Sequence, residues 1–128
     1  VTALIDTHVF IWATVEPARL SSTARTLIED GENVLLLSAA SAWEIAIKTR
    51  LGRLQLPDSP DLFVPREMQV ACIQGLPADF SHCLRVARLP LHHRDPFDRL
   101  LIAQAQVERI PIVTSDPKFR VYDIEVIW

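Results

Sequence analysis

The sequence predicts an α/β fold, with a central, mostly parallel sheet of four to five strands covered by helices on both faces. Two observations carry that expectation. Short continuous apolar runs such as NVLLLS and IPIV suit strands buried on both faces. Helix-patterned segments separate these runs, most of them opened by a capping residue and closed by Gly or Pro. Strands that alternate with helices in this way build parallel sheets.

Each element has its own local reason. VTALID reads as a buried strand that delivers Asp6 at its carboxyl end, and HVFIWATV as the first helical turns after it. SSTARTLIEDG is a helix with Ser21 or Ser22 as N-cap and Gly31 as its stop. NVLLLS is a second strand, and AASAWEIAIKTRLG a helix ending near Gly52. DLFVPREMQ is expected to be helical on one or both sides of Pro65. VACIQG reads as a third strand, and ADFSHCLRVARLP as a helix closed by Pro90. The segment from Pro96 to about Glu108 carries the fullest helix signals: Asp95 as N-cap, Pro96 at the first helical position and acidic Asp98 in the first turn. IPIVTSD is a strand ending at Asp116, and IEVIW a final short strand.

Size and composition set the limits. The 128 residues fit one domain, residues 1–128, able to bury roughly two-thirds of the surface that the unfolded chain exposes. A 49% hydrophobic content argues for a folded core. Thirteen basic and sixteen acidic residues give a net charge of −3, so the chain lacks the basic footprint of a clamp that binds nucleic acid by bulk charge. An enzyme that meets nucleic acid through a bound cation remains compatible with that charge. Cys72 and Cys83 form neither a disulfide framework nor a zinc motif. With no apolar run near eighteen residues, no membrane contact is expected, and the expected location is cytoplasmic. The chain opens on Val, so it is expected to start at or after the second residue of the natural protein.

In open parallel sheets, ligands collect at the carboxyl ends of the strands. Asp6 follows the first strand and Asp116 the fourth; Glu44 lies in the helix after the second strand, and Asp98 opens the helix before the fourth. All four are therefore expected at one edge. Crowded carboxylates repel one another and raise each other's pKa values, and a bound cation relieves this. An all-oxygen donor set favours Mg²⁺ or Mn²⁺. Each acid also has a local reading. Asp6 can cap the helix that follows, Glu44 completes a capping-box spacing in SAWE, and Asp116 in TSDPKF fits an Asp-Pro turn. The joint pattern outweighs these separate readings, and Asp95 is kept as the cap.

The ordered segments LIDTHVFIWA, SAASAWEIAIKTRLGRL, HHRDPFDRLLIAQA and IPIVTSDPKF resemble the PIN-domain ribonucleases, specifically the toxin components of VapBC toxin–antitoxin systems. The likeness runs from Leu4 to the closing VIW. It implies a PIN-like α/β/α sandwich and a metal-dependent endoribonuclease. It also implies that Asp6, Glu44, Asp98 and Asp116 stand at the acidic metal-site positions. Thr114 matches the hydroxyl residue two before the last acid, and Thr7 the residue after the first. A cognate VapB-type antitoxin that blocks the acidic pocket, and a homodimer, are further implications. The helices at LSSTARTLIE and DLFVPREM are candidates for the dimer surface.

For the substrate, Lys48, Arg50, Arg53, Arg94, Arg99, Lys118 and Arg120 lie near the four motifs and are candidates to line a backbone groove, although solvated helix faces explain several of them. Arg99 has the alternative of pairing with an acid. His92 and His93 are read as plain loop residues, and Trp12, Trp43 and Trp128 as core packing before base stacking. Two rival readings remain: a PIN-like module whose acids only cap and turn, and a receiver-type signalling domain. The receiver class wants paired acids after the first strand, where LIDTH offers one, and a DxD phosphatase fails because residue eight is His8. Nothing in the residues separates RNA from DNA; small size and the resemblance favour RNA.

Overall fold

The computed structural model describes all 128 residues. Its strands are β1 (Thr2–Ile5), β2 (Val34–Ser38), β3 (Gln74–Leu76), β4 (Ile112–Val113) and β5 (Val126–Ile127). Its helices are α1 (Thr7–Val15), α2 (Ser22–Glu29), α3 (Ala39–Arg50), α4 (Pro60–Val70), α5 (Phe80–Arg85) and α6 (Pro96–Glu108). The sheet order is β3-β2-β1-β4-β5, and every pairing is parallel. The expected sheet is thus present, with five strands and none antiparallel.

Central β1 is covered on both sides, which explains its continuous apolar run. Ala3 and Ile5 pack with Val9, Phe10, Leu37, Ile45 and Phe63 on one face. Leu4 packs with Leu101, Ile102, Ile112 and Phe119 on the other. Successive strand residues point to opposite faces, so one short run feeds two cores. Strands β2 and β3 extend one way from β1, and β4 and β5 the other. The reversal opens a crevice at the carboxyl ends of β1 and β4, where such sheets bind ligands.

One local expectation is resolved, and three need correction. Helix α4 runs on both sides of Pro65, one of the two expected forms; Pro65 is exposed, as is Asp61 one turn before it, whose carbonyl goes without its usual partner. The third strand starts at Gln74 and not at Val70, because α4 ends in a Schellman turn. There Ile73 N–H donates to Met68 O and Cys72 N–H to Gln69 O, with Cys72 at φ 55° in the place Gly usually takes. Helix α5 passes into a 3₁₀ turn at Val86–Arg88 before Pro90. The capping box at Ser41 is absent: Ser38 caps α3 by accepting from Ala40 N–H at 3.0 Å, and Ser41 lies inside the helix. The end of α3 follows expectation, with Gly52 at φ 73° closing it as Arg53 N–H donates to Lys48 O.

Candidate metal centre in the acidic crevice

Asp6 leaves β1 buried, with 5% of its surface exposed. Its backbone N–H donates to Val113 O at 3.1 Å, tying the ends of β1 and β4 together. One side-chain oxygen caps α1 by accepting from Val9 N–H at 2.9 Å. The other accepts the hydroxyl hydrogen of Thr114, which is fully buried beside it. Thr114 Oγ1 in turn accepts from Asp116 N–H at 3.1 Å, so the two acids are joined through one hydroxyl. Asp116 Oδ1 accepts from Lys118 N–H and caps the 3₁₀ turn at Pro117–Val121. Capping and crevice placement therefore coexist in both residues.

Asp98 sits in the first turn of α6, its backbone N–H bound by the capping carboxylate of Asp95 at 3.0 Å. Its side chain is freed from that duty, and Oδ2 lies 2.8 Å from His93 Nε2. The same nitrogen lies 3.6 Å from Asp116 Oδ2. One ligand atom from each of His93, Asp98 and Asp116 falls within 4.8 Å of the others. A cavity of about 440 Å³ is lined by Asp6, Asp98 and Asp116 together with His8, Trp12, Arg19 and Ser115.

Glu44 lies apart from that trio. It is 2% exposed in the second turn of α3, and both oxygens are engaged. Oε1 accepts from the Thr7 hydroxyl at 2.7 Å and Oε2 from Lys48 Nζ at 2.5 Å. Ser41 Oγ lies 2.9 Å from the Thr7 hydroxyl, which explains why a serine is tolerated inside the helix. Glu44 lines a neighbouring cavity of about 340 Å³ with Thr7, His8, Lys48 and Arg53. His8 borders both cavities.

The electrostatics reflect the crowding. Burial pushes Asp98 up to about 8, helped by the charges of Asp95, Asp6, Glu44 and Asp116. Asp6 is also raised by burial, although bonds from Thr114 and Val9 and the nearby His8 oppose the rise. Burial alone would lower Lys48, but the hydrogen bond and charge of Glu44, with Asp95 and Asp98 beyond, outweigh it and raise the ammonium. Asp98 has no Lys or Arg partner; its one ionisable contact is His93. Near neutral pH it therefore keeps a proton where a cation would otherwise stand. The two carboxylates suit a hard divalent ion such as Mg²⁺ or Mn²⁺, and the imidazole, which the expected all-oxygen set did not include, can serve either as a third donor or as the hydrogen-bond partner that orients Asp98.

His93 is the residue that sequence reasoning missed. It is 6% exposed, not a plain loop residue: its N–H donates to Tyr122 Oη at 2.8 Å, and its ring meets Phe119 edge-on. The signal for it was weak, a histidine two places before a capping Asp. Arg99 requires a second correction. It neither lines a groove nor pairs with an acid; its guanidinium is buried and donates to the carbonyls of Pro90, His93, Val86 and Leu89 and to Tyr122 Oη. Arg50, Arg53, Arg94, Lys118 and Arg120 are exposed, and Lys48 is half-buried on Glu44. Trp43 is no core residue: 61% exposed, it meets Phe97 edge-on. Trp12 and Trp128 pack on each other, half-buried.

Comparison with known proteins gives concordant matches. A family profile described as the PIN domain matches residues 3–125. Ribonuclease VapC22 of Mycobacterium tuberculosis (strain ATCC 25618 / H37Rv) is 30% identical over 119 residues, which is 93% of this chain and 90% of that protein. Ribonuclease VapC16 of the same strain is 45% identical over 58 residues, but that stretch spans 45% of this chain and 41% of the relative. A chain in the crystal structure of VapBC2 from Rickettsia felis bound to a DNA fragment from their promoter superposes with a TM-score of 0.70. The superposition covers 98% of this chain and 97% of that one, and at 12% identity it speaks to the fold. No helix here is long and apolar enough to cross a membrane.

Proposed function

The chain belongs to the PIN domain family, and from that premise we propose that it is a VapC-type toxin, a metal-dependent endoribonuclease that hydrolyses RNA phosphodiester bonds. The observation that supports this most directly is the close placement of Asp98 and Asp116, without a Lys or Arg partner and held with His93 at the crevice between β1 and β4. A Mg²⁺ or Mn²⁺ ion held by Asp98, Asp116 and, directly or through water, Asp6 would neutralise the scissile phosphate and lower the pKa of the attacking water.

The chain's own residues supply the remaining roles. Thr114 fixes the rotamer of Asp6 and, through its oxygen, the backbone of Asp116. Asp95 binds the Asp98 N–H, so the Asp98 carboxylate is left free to face the cavity. Glu44 is held by Thr7 and Lys48, yet each carboxylate oxygen keeps a spare lone pair with which to orient the attacking water. Lys48 and Arg53 line the adjoining cavity and suit the flanking phosphates.

The partner proposed is a cognate VapB-type antitoxin covering the acidic crevice, because the similar crystal structure holds VapBC2 as a complex. A homodimer is proposed through α2 and α4, of which α4 exposes Leu62 and Val70. The test is cleavage of labelled RNA by purified protein in Mg²⁺, Mn²⁺ or EDTA, beside a folded Asp116→Asn variant. Cleavage that EDTA and the substitution both abolish supports the reading; equal cutting by both proteins sinks it.

A further inference from the structure

The cavity that holds the three aspartates carries a second kind of surface. Trp12 and Arg19 line it too, with the Arg19 guanidinium carbon 4.4 Å from the centroid of the indole. Trp12 is braced from elsewhere: Trp128 lies 6.0 Å away at 60° and His8 6.0 Å away at 43°, centroid to centroid. Arg19 ends the 3₁₀ turn Pro17–Arg19, which Arg25 pins by donating to Pro17 O at 2.7 Å. Its side chain is 54% exposed, and its single acidic contact is exposed Glu16 at 3.5 Å, a pair of little strength. Arg19 is therefore a flat cation resting on an aromatic ring, beside the carboxylates and not neutralised by them.

We propose that Trp12 and Arg19 form a stacking platform for an unpaired nucleobase of RNA, next to the phosphate that the acidic site receives. The inference rests on the ribonuclease reading and specifies its substrate. Arginine planes and aromatic rings are the surfaces on which proteins stack splayed-out bases. The guanidinium carbon lies over the Trp12 ring, and the exposed side of Arg19 is available to a second planar group. Phosphates flanking the site have better-suited cations past His8, where Lys48 and Arg53 present unstacked charges. A base already paired and stacked in a duplex cannot reach the platform without being extruded, so the site selects single-stranded segments. The nearby acids repel a polyanion, and stacking offsets part of that repulsion without added charge.

The experiment measures binding separately from cutting. A fluorescent, unpaired, 2′-O-methyl oligonucleotide cannot be cut through its own 2′ oxygen, and Ca²⁺ in place of Mg²⁺ is a weaker Lewis acid toward the attacking water. A second oligonucleotide of equal length and charge carries abasic sugars, and a third is base-paired. With full-length protein in Ca²⁺, anisotropy is expected to give about tenfold tighter binding of the base-bearing single strand than of the abasic strand. Arg19→Lys keeps the charge and removes the plane; it is expected to reduce that ratio to about one while leaving abasic binding unchanged. Trp12→Phe is expected to retain part of the ratio. Equal binding of base-bearing and abasic strands, or no binding of either, overturns the platform, as does an Arg19→Lys protein with the full ratio. Wild type that discriminates bases but cuts no RNA keeps the platform and refutes the nuclease reading. Wild type that cuts RNA without discriminating does the reverse.

Discussion

His93 Nε2 stands 2.8 Å from Asp98 Oδ2, and the imidazole that carries it is buried edge-on against Phe119. Its Nδ1 accepts from Asp95 N–H at 3.4 Å, its carbonyl accepts from Arg99 at 3.2 Å, and its N–H is bound to Tyr122. A buried arginine and a tyrosine thus fix the backbone of His93, and the Asp95 N–H meets its ring, which together set the position of one oxygen at the acidic crevice.

His93→Ala is therefore expected to weaken divalent-ion binding by about 10- to 100-fold, the usual effect of losing a ligand's supporting partner. The fold should survive, because Arg99 and Tyr122 hold the backbone of residue 93 and not its ring. Titration calorimetry with Mn²⁺ and circular dichroism check both halves. Unchanged affinity in a folded variant would remove His93 from the site.

The raised pKa of Asp98 makes metal-free stability depend on pH. Its folded value of about 8 exceeds the ordinary 3.8, so the folded state binds the extra proton. The associated stability is complete below pH 3.8 and is lost as pH rises through about 8. Without metal, wild type should lose melting temperature relative to Asp98→Asn over that interval, and Mn²⁺ should restore it near pH 8. Thermal scans in EDTA test this; parallel curves for the two proteins would refute it.

Lys48→Met leaves the Glu44 carboxylate buried with hydroxyl company alone, and should cost about 2 kcal/mol of unfolding free energy. Adding Glu44→Gln removes the charge and should recover much of that loss. A double-mutant cycle in urea reads the coupling, and strictly additive losses would show that the two side chains act independently.

Arg99→Met deprives five oxygen acceptors of one donor group and is expected to destabilise the fold by about 3 kcal/mol. Arg99→Lys should recover little, since an ammonium cannot span the same fork. Urea midpoints test the prediction. A variant as stable as wild type would mean that water satisfies those carbonyls.

Legibility in the sequence followed the range of the interaction. Strands β1 and β2, helices α2, α3 and α6, and the caps at Ser21 and Asp95 were readable because each depends on residues within a few positions. The start of β3, expected at Val70, falls at Gln74 because Cys72 takes the left-handed conformation without the glycine that would announce a turn there. The SAWE spacing misled for another reason: Ser41 faces Thr7, from the helix after β1, and no local pattern contains that neighbour.

By itself the sequence determined an α/β chain with four acids near strand ends and helix starts, since periodicity, caps and strand exits are local properties. Only the tertiary structure decided how those acids divide. Asp6, Asp98 and Asp116 share one cavity, while Glu44 lines the next with Lys48. Thr114 meets Asp6 across 108 positions because β1 and β4 are neighbours, and His93 reaches Asp98 because Arg99 and Tyr122 draw its loop inward. Strand order and buried polar satisfaction are settled when the whole core closes, and they choose the partners that local chemistry leaves open.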